Sequence, residues 1–151
     1  MIRSTWVAAV ACGCVLAAAP AEAAKCTVAT TSVAFGIYNV FDVAPLDSTG
    51  TVGLNCNGGA SNVQITITRG QSGTYAPRTL RRATESLGYN LYVDAARSSI
   101  WGDGTGGSQA YMAGNPPNNT AVTATIHARI PAGQDISAGA YSDSVSVTVN
   151  F

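Results

Sequence analysis

The chain has 151 residues, enough for one domain with a real core. Eight Lys and Arg balance eight Asp and Glu, and charged residues are only 11%, so the electrostatic footprint needed for nucleic acid or an anionic membrane surface is missing. Abundant Gly, with Ser, Thr and Val filling the regular stretches, points to an all-β chain with many turns.

The N-terminus reads as a targeting segment. Met1-Ile-Arg3 is a short basic start, Val7 to Ala19 is apolar, and Ala21-Glu-Ala23 is a small-residue cleavage site. Cleavage after Ala23 makes 1–23 a signal peptide and 24–151 one exported domain. The apolar run is too short, and too soon followed by Pro20 and Glu22, to span a membrane. Cys12 and Cys14 lack the upstream Leu expected of a lipidation site. Removing the signal leaves Cys26 and Cys56, and an even pair in an exported chain predicts a disulfide. Two thiols, with His127 the sole histidine, do not make a zinc site, and no cofactor is implied.

Cys26 and Val28 are apolar at even positions, whereas Val33 and Phe35 are apolar at odd ones. A one-residue slip moves side chains to the other face, so the first strand is expected to kink or switch sheets across Thr30-Thr-Ser32. After a loop through Pro45 to Gly50, Val52, Leu54 and Cys56 alternate in a second strand. Asn57 to Asn62 is turn chemistry, and Val63, Ile65 and Ile67 form a third strand. The polar stretch Arg69 to Ser86, with Arg78, Arg81 and Arg82, reads as a solvated loop rather than an anion site. Leu87, Tyr89, Leu91 and Val93 form the next strand, followed by a glycine-rich turn at Ile100 to Gly107 and a loop at Asn115 to Asn119. Val122 to Ile130 alternates again, and Pro131 to Gly139 turns the chain into its final strand.

No catalytic constellation emerges. His127 falls on the polar face of its strand, and nothing partners Asp94 or Asp103. The glycine-rich turn lacks the Lys-Ser/Thr of a phosphate loop and has no helix to cap. Asn118-Asn-Thr120 matches a glycosylation sequon, with no other feature to support its use.

The final stretch, Gly139 to Phe151, is the most regular. Tyr141, Val145, Val147, Val149 and Phe151 fall on one face; Ser142, Ser144, Ser146, Thr148 and Asn150 fall on the other. Only Asp143 breaks the apolar series. Such a strand is an ordinary sandwich strand, a sheet edge, or one whose neighbour comes from another molecule. An uncovered edge with an apolar face is an association hazard.

Taken together, Cys26, Val33-Ala-Phe-Gly-Ile-Tyr38, Val52-Gly-Leu-Asn-Cys56, Arg78-Thr-Leu80, Leu87-Gly-Tyr-Asn-Leu-Tyr-Val-Asp94, Trp101-Gly-Asp-Gly104, Gly139-Ala-Tyr-Ser-Asp143 and Val149-Asn-Phe151 resemble the spore coat protein U family. That family includes pilins of the archaic chaperone–usher pathway. The resemblance implies an immunoglobulin-like antiparallel β-sandwich lacking its final strand. A periplasmic chaperone would fill the gap first, and a neighbouring pilin subunit would replace it at an outer-membrane usher. It also implies a non-enzymatic subunit that passes through the periplasm to the cell surface of a Gram-negative bacterium. On this reading Tyr141, Val145, Val147, Val149 and Phe151 line the acceptor groove.

In one respect the sequence departs from the pattern, because the expected cleavage leaves only Ala24 and Lys25 ahead of Cys26. Two residues span at most about 7 Å, whereas a complementing strand needs roughly 17–33 Å. The expectation is a subunit that accepts a strand without giving one, which suits a fibre tip. The alternatives are a self-contained glycan- or surface-binding module using Tyr89, Tyr92 and Trp101, and a coat protein associating through its edges.

Overall fold

The computed structural model describes residues 25–151; the expected signal peptide lies outside the described residues. The described residues form eight strands, the longest of them alternating apolar and polar side chains: β1 Lys25–Thr31, β2 Leu46–Asn57, β3 Val63–Ile67, β4 Arg78–Arg82, β5 Glu85–Tyr92, β6 Tyr111–Gly114, β7 Ala121–Ile130 and β8 Val147–Asn150. They form two antiparallel sheets, ordered β1-β2-β7-β5-β4 and β6-β3-β8. The result is an all-β, immunoglobulin-like sandwich.

Period-two burial fixes the register of the inner strands. Ile65 and Ile67 of β3 cluster with Leu87, Tyr89 and Leu91 of β5 and Ala124, Ile126, Ala128 and Ile130 of β7 in the buried interior. Burial of each large apolar side chain stabilises the fold by roughly 1.5–3 kcal/mol. A second cluster, Leu54, Cys56, Ala60 and Val63, surrounds the Cys26–Cys56 disulfide. The two cysteines stand directly opposite each other in the β1–β2 ladder.

The expected kink in the first strand is present. The β1–β2 ladder ends at Thr31 opposite Thr51, and beyond it Val33 and Phe35 pack against the main core. The solvated loop expected over 69–86 is not what forms. Residues Gly70–Ser72 make a 3-10 turn, β4 pairs with β5 from Arg78–Tyr89 to Arg82–Glu85, and Arg78 is fully buried. Its guanidinium donates to the Thr68 carbonyl from Nε (3.1 Å) and Nη2 (3.0 Å), to Asn90 Oδ1 from Nη1 (2.8 Å) and to the Trp101 carbonyl from Nη2 (2.6 Å). It also lies 5.1 Å from the centre of the Tyr75 ring. Burial pushes its pKa down, and the nearby Tyr89, Tyr75 and Asp143 oppose that shift. The planar fork satisfies several acceptors at once, which an ammonium cannot do. A polar, basic stretch conceals this arrangement because hydropathy registers the charge and not the acceptors waiting for it.

The final strand also differs from the sequence expectation. Its alternation runs unbroken, but the backbone changes sheets. Ser142 bridges to Arg81 at the edge of the five-stranded sheet, and β8 begins only at Val147, paired with Ile67 of β3. Between them the Thr68 N–H donates to the Ser146 carbonyl (3.0 Å) and the Ser146 N–H to Thr68 Oγ1 (2.9 Å).

Arg78→Ala should therefore strip four hydrogen bonds from three acceptors, leave the buried Trp101 carbonyl without its guanidinium donor and open a cavity, costing roughly 3–5 kcal/mol, with Arg78→Lys intermediate. Exposed Arg81→Ala should change stability by no more than about 0.5 kcal/mol. Urea unfolding of the three variants checks this, and equal losses at positions 78 and 81 would contradict it.

Candidate strand-acceptor cleft

Two chain segments outside the named strands, one of them bridged only at Ser142, face one another across a cleft of about 730 Å³. One wall is 33–40, the continuation of β1; the other is 136–143, leading into β8. Leu80, Leu87 and Ile130 of the five-stranded sheet also line it.

Each wall is held by hydrogen bonds to distant parts of the chain. Tyr38 Oη donates to the Pro131 carbonyl (3.1 Å) and accepts from the Gln134 N–H (2.9 Å). The Gln134 side chain in turn imitates a strand: its Oε1 accepts the Gly88 N–H (2.7 Å) and its Nε2 donates to the Gly88 carbonyl (2.8 Å). On the same wall Ser48 Oγ donates to the Ala34 carbonyl (2.6 Å). Across the cleft the Tyr141 hydroxyl donates to Glu85 Oε2 (2.8 Å), which also accepts from Arg82 (3.0 Å).

Asp143, the residue that interrupts the apolar series, is half-buried and fully engaged. Its carboxylate accepts from the Tyr89 hydroxyl (2.7 Å), the Gln71 N–H (2.9 Å) and the Ser144 N–H (2.8 Å). Burial, followed by this bond to Asp143, pushes the Tyr89 pKa up. The Tyr89 ring meets Phe35 edge-on at 6.0 Å, linking the two walls through the core. Gly70 makes room for Asp143: its φ is +67°, and a Cβ there would collide with the carboxylate.

The structure places the row Tyr141, Val145, Val147 and Val149 on one face, half-buried and packed against the main core. Their alternating neighbours, Ser142, Ser144, Ser146, Thr148 and Asn150, are exposed. Phe151 does not join the row: it is exposed and lies beyond the end of β8. The contrast with β3 is informative. Val63, Ile65 and Ile67 are at most 1% exposed, whereas the inward residues of adjacent β8 remain only half-covered. β8 is also the edge of its sheet, paired with β3 on one side alone among the described residues.

Several residues bearing on the cleft escape sequence reasoning. Ile136 sits in what reads as a turn, and its one signal is being a lone large apolar side chain there. Gln134 gives no local signal, since its partner Gly88 is 46 residues away. The aromatic site imagined for a glycan-binding module does not form, because Trp101 is fully buried and Tyr89 is 5% exposed. Trp101 instead donates its indole N–H to the Ile65 carbonyl (2.9 Å) and stacks at a tilt on Tyr111. Asp94 and Asp103 are not brought together: each accepts hydrogen bonds within its own turn, from Ser98 and Ser99 and from Thr105. His127 is half-buried on the outer sheet face, opposite Thr49 and Tyr92.

A family model described as the Spore Coat Protein U domain matches residues 12–148. Protein U of Myxococcus xanthus is 29% identical over 130 residues, a match covering 78% of this chain and 70% of that protein. A similar solved structure is the CsuC–CsuE chaperone–tip adhesion subunit pre-assembly complex from archaic chaperone–usher Csu pili of Acinetobacter baumannii. It matches with a TM-score of 0.59 at 22% identity over 85% of this chain, and the chain spans 40% of the length of the one it matches.

The cleft rim carries a pH prediction. Hydrogen bonds from Ser137, Tyr141 and Arg82 hold the Glu85 carboxyl at about 2, below its ordinary 4.5. A depressed carboxyl contributes stability that is present above its unfolded value and lost as pH falls through its folded one. The Glu85 contribution is thus expected to persist down to pH 4.5 and to fade between there and pH 2. Unfolding of Glu85→Gln across this window should show a shallower pH dependence than the native chain, and an identical slope would contradict it.

Proposed function

The chain belongs to the Spore Coat Protein U domain family, and on that footing we propose that it is a non-enzymatic structural subunit of a surface pilus or coat, assembled by donor-strand complementation. A periplasmic chaperone supplies the missing strand first, and a neighbouring subunit replaces it at an outer-membrane usher. The subunit passes through the periplasm of a Gram-negative cell and ends at its surface. The observation that carries this reading is the half-covered apolar row of the last strand, at an open sheet edge near a cleft of mixed polar and apolar lining. β-Strand addition suits such a site, with main-chain hydrogen bonds giving affinity and alternate side-chain positions giving specificity. The likeness in fold to a chaperone-bound pilus subunit supports the same partners.

Within the groove, Tyr141, Val145, Val147 and Val149 meet the incoming strand, and Phe151 extends the contact past the end of β8. Val147→Asp or Val149→Asp places an unpaired charge where that strand lies, a cost of several kcal/mol. Export or assembly is expected to fail in these variants, while Ser146→Asp on the exposed face is tolerated. Equal behaviour of the two faces in secretion assays would overturn the assignment.

The finer part of the proposal is a place at the fibre tip, supported by the tip adhesion subunit in the similar complex. Immunogold labelling of intact fibres should mark their ends, and label along the whole shaft would refute the tip position.

A further inference from the structure

β1 is the outer strand of the five-stranded sheet, hydrogen-bonded to β2 alone among the described residues. It runs for seven residues in unbroken register. After Lys25 it carries no charge, no proline and no bulge, the devices that ordinarily blunt an exposed edge.

The phase of its ladder determines which backbone groups that edge presents. Opposed residues of an antiparallel pair alternate between those exchanging both backbone bonds, with Cα atoms about 5.5 Å apart, and those exchanging none, about 4.5 Å apart. Cys26 and Cys56 stand opposite each other with Cα atoms 4.0 Å apart. The Cys56 carbonyl accepts instead from the Asn119 N–H (2.8 Å), on the far side of β2 from β1. The two cysteines are therefore a non-bonded pair. Every second residue shares that phase, so Cys26, Val28 and Thr30 aim their N–H and C=O groups away from β2. Thr31 has the opposite phase, and the Thr51 N–H points back at it, donating to Thr31 Oγ1 (2.8 Å).

The side chains end just as abruptly. Val122 of β7, Leu54 of β2 and Val28 of β1 stand in one row across the inner face of the sheet. Leu54 is 1% exposed, whereas Val28, at the end of the row, is 46% exposed.

We propose that β1 pairs antiparallel with β1 of a second copy of this chain, about a two-fold axis at Val28, so that one sheet runs through both copies. Val28 then exchanges both backbone bonds with Val28 of the copy, and Cys26 does so with Thr30 on either side of the axis. Every outward N–H and C=O of the three residues finds a partner in this register. The apolar row continues without a gap, from Leu54 and Val28 into Val28 and Leu54 of the copy. Charge favours the same occupant: Lys25 falls opposite Thr31 of the copy rather than opposite another Lys, and the chain carries no net charge. A strand paired with itself is an isologous contact and closes at two copies. The edge belongs to a different sheet from β8, so the pairing is independent of the strand-acceptor reading. A contact this short falls below the roughly 1,200 Å² of a stable interface, which makes the dimer weak and dependent on concentration.

Sedimentation velocity of the full chain over a concentration series tests the pairing. The native chain is expected to pass from one copy to two as concentration rises. Val28→Lys and Val28→Glu each set like charges against one another on the axis and should weaken the dimer about tenfold or more. An equimolar mixture of the two should recover it. Val28→Pro removes an outward N–H without touching the β1–β2 bonds, so it should also abolish the dimer while the thermal unfolding midpoint stays near the native one. A native chain that remains single at every concentration would overturn the pairing. So would a dimer that survives Val28→Lys and Val28→Pro, or folded charge variants that fail to recover on mixing.

Discussion

A single buried cation ties together the parts on which the cleft depends. Arg78 has no carboxylate in direct contact, so its desolvation is offset by four hydrogen bonds to neutral acceptors and by the Tyr75 ring. Those acceptors belong to the end of β3, to β5 and to the turn at Trp101, which joins the edge of the five-stranded sheet to the smaller sheet. Through Thr68 the connection continues to Ser146, where the last strand passes from one sheet to the other. β8 is held by its ladder with β3, and Thr68 at the end of that ladder links it to the guanidinium.

An uncovered groove in an otherwise close-packed sandwich has a structural cost, and the chain limits it locally. Beyond the single Arg81–Ser142 bridge, its walls are braced by side chains standing in for a strand: Gln134 against Gly88, Tyr38 against Pro131, Tyr141 against Glu85. The disulfide lies elsewhere, joining β1 to β2 within its own small cluster. In the chain-entropy account a loop of this size stabilises by roughly 3–4 kcal/mol, and the cluster around the disulfide also packs against Val149 of β8.

Much of the fold was legible because half-buried strands advertise themselves by alternation. β2, β3, β5 and β7 all carry that signature, and the phase slip at Thr30-Thr-Ser32 correctly marks the end of the β1 ladder. β4 was missed since its key residue is a charged one buried by partners that no local pattern displays. β6 is four residues long and lacks alternation. In the last strand alternation survives the change of sheets, so the sequence reads as one strand where the backbone has two sets of partners. Of the row Tyr141 to Val149, only Tyr141 lines the cleft. The opposing wall depends on contacts such as Tyr38 to Gln134, separated by 96 residues, which periodicity cannot reveal.

Amide hydrogen exchange along 145–151 addresses the acceptor edge most directly. In the free domain, N–H groups of this stretch that do not bond to β3 or Thr68 should exchange rapidly, and they should become protected when the subunit is isolated with its strand-donating partner. Full protection of the whole stretch in a monodisperse, partner-free domain would contradict the account, because the edge would then already be complete.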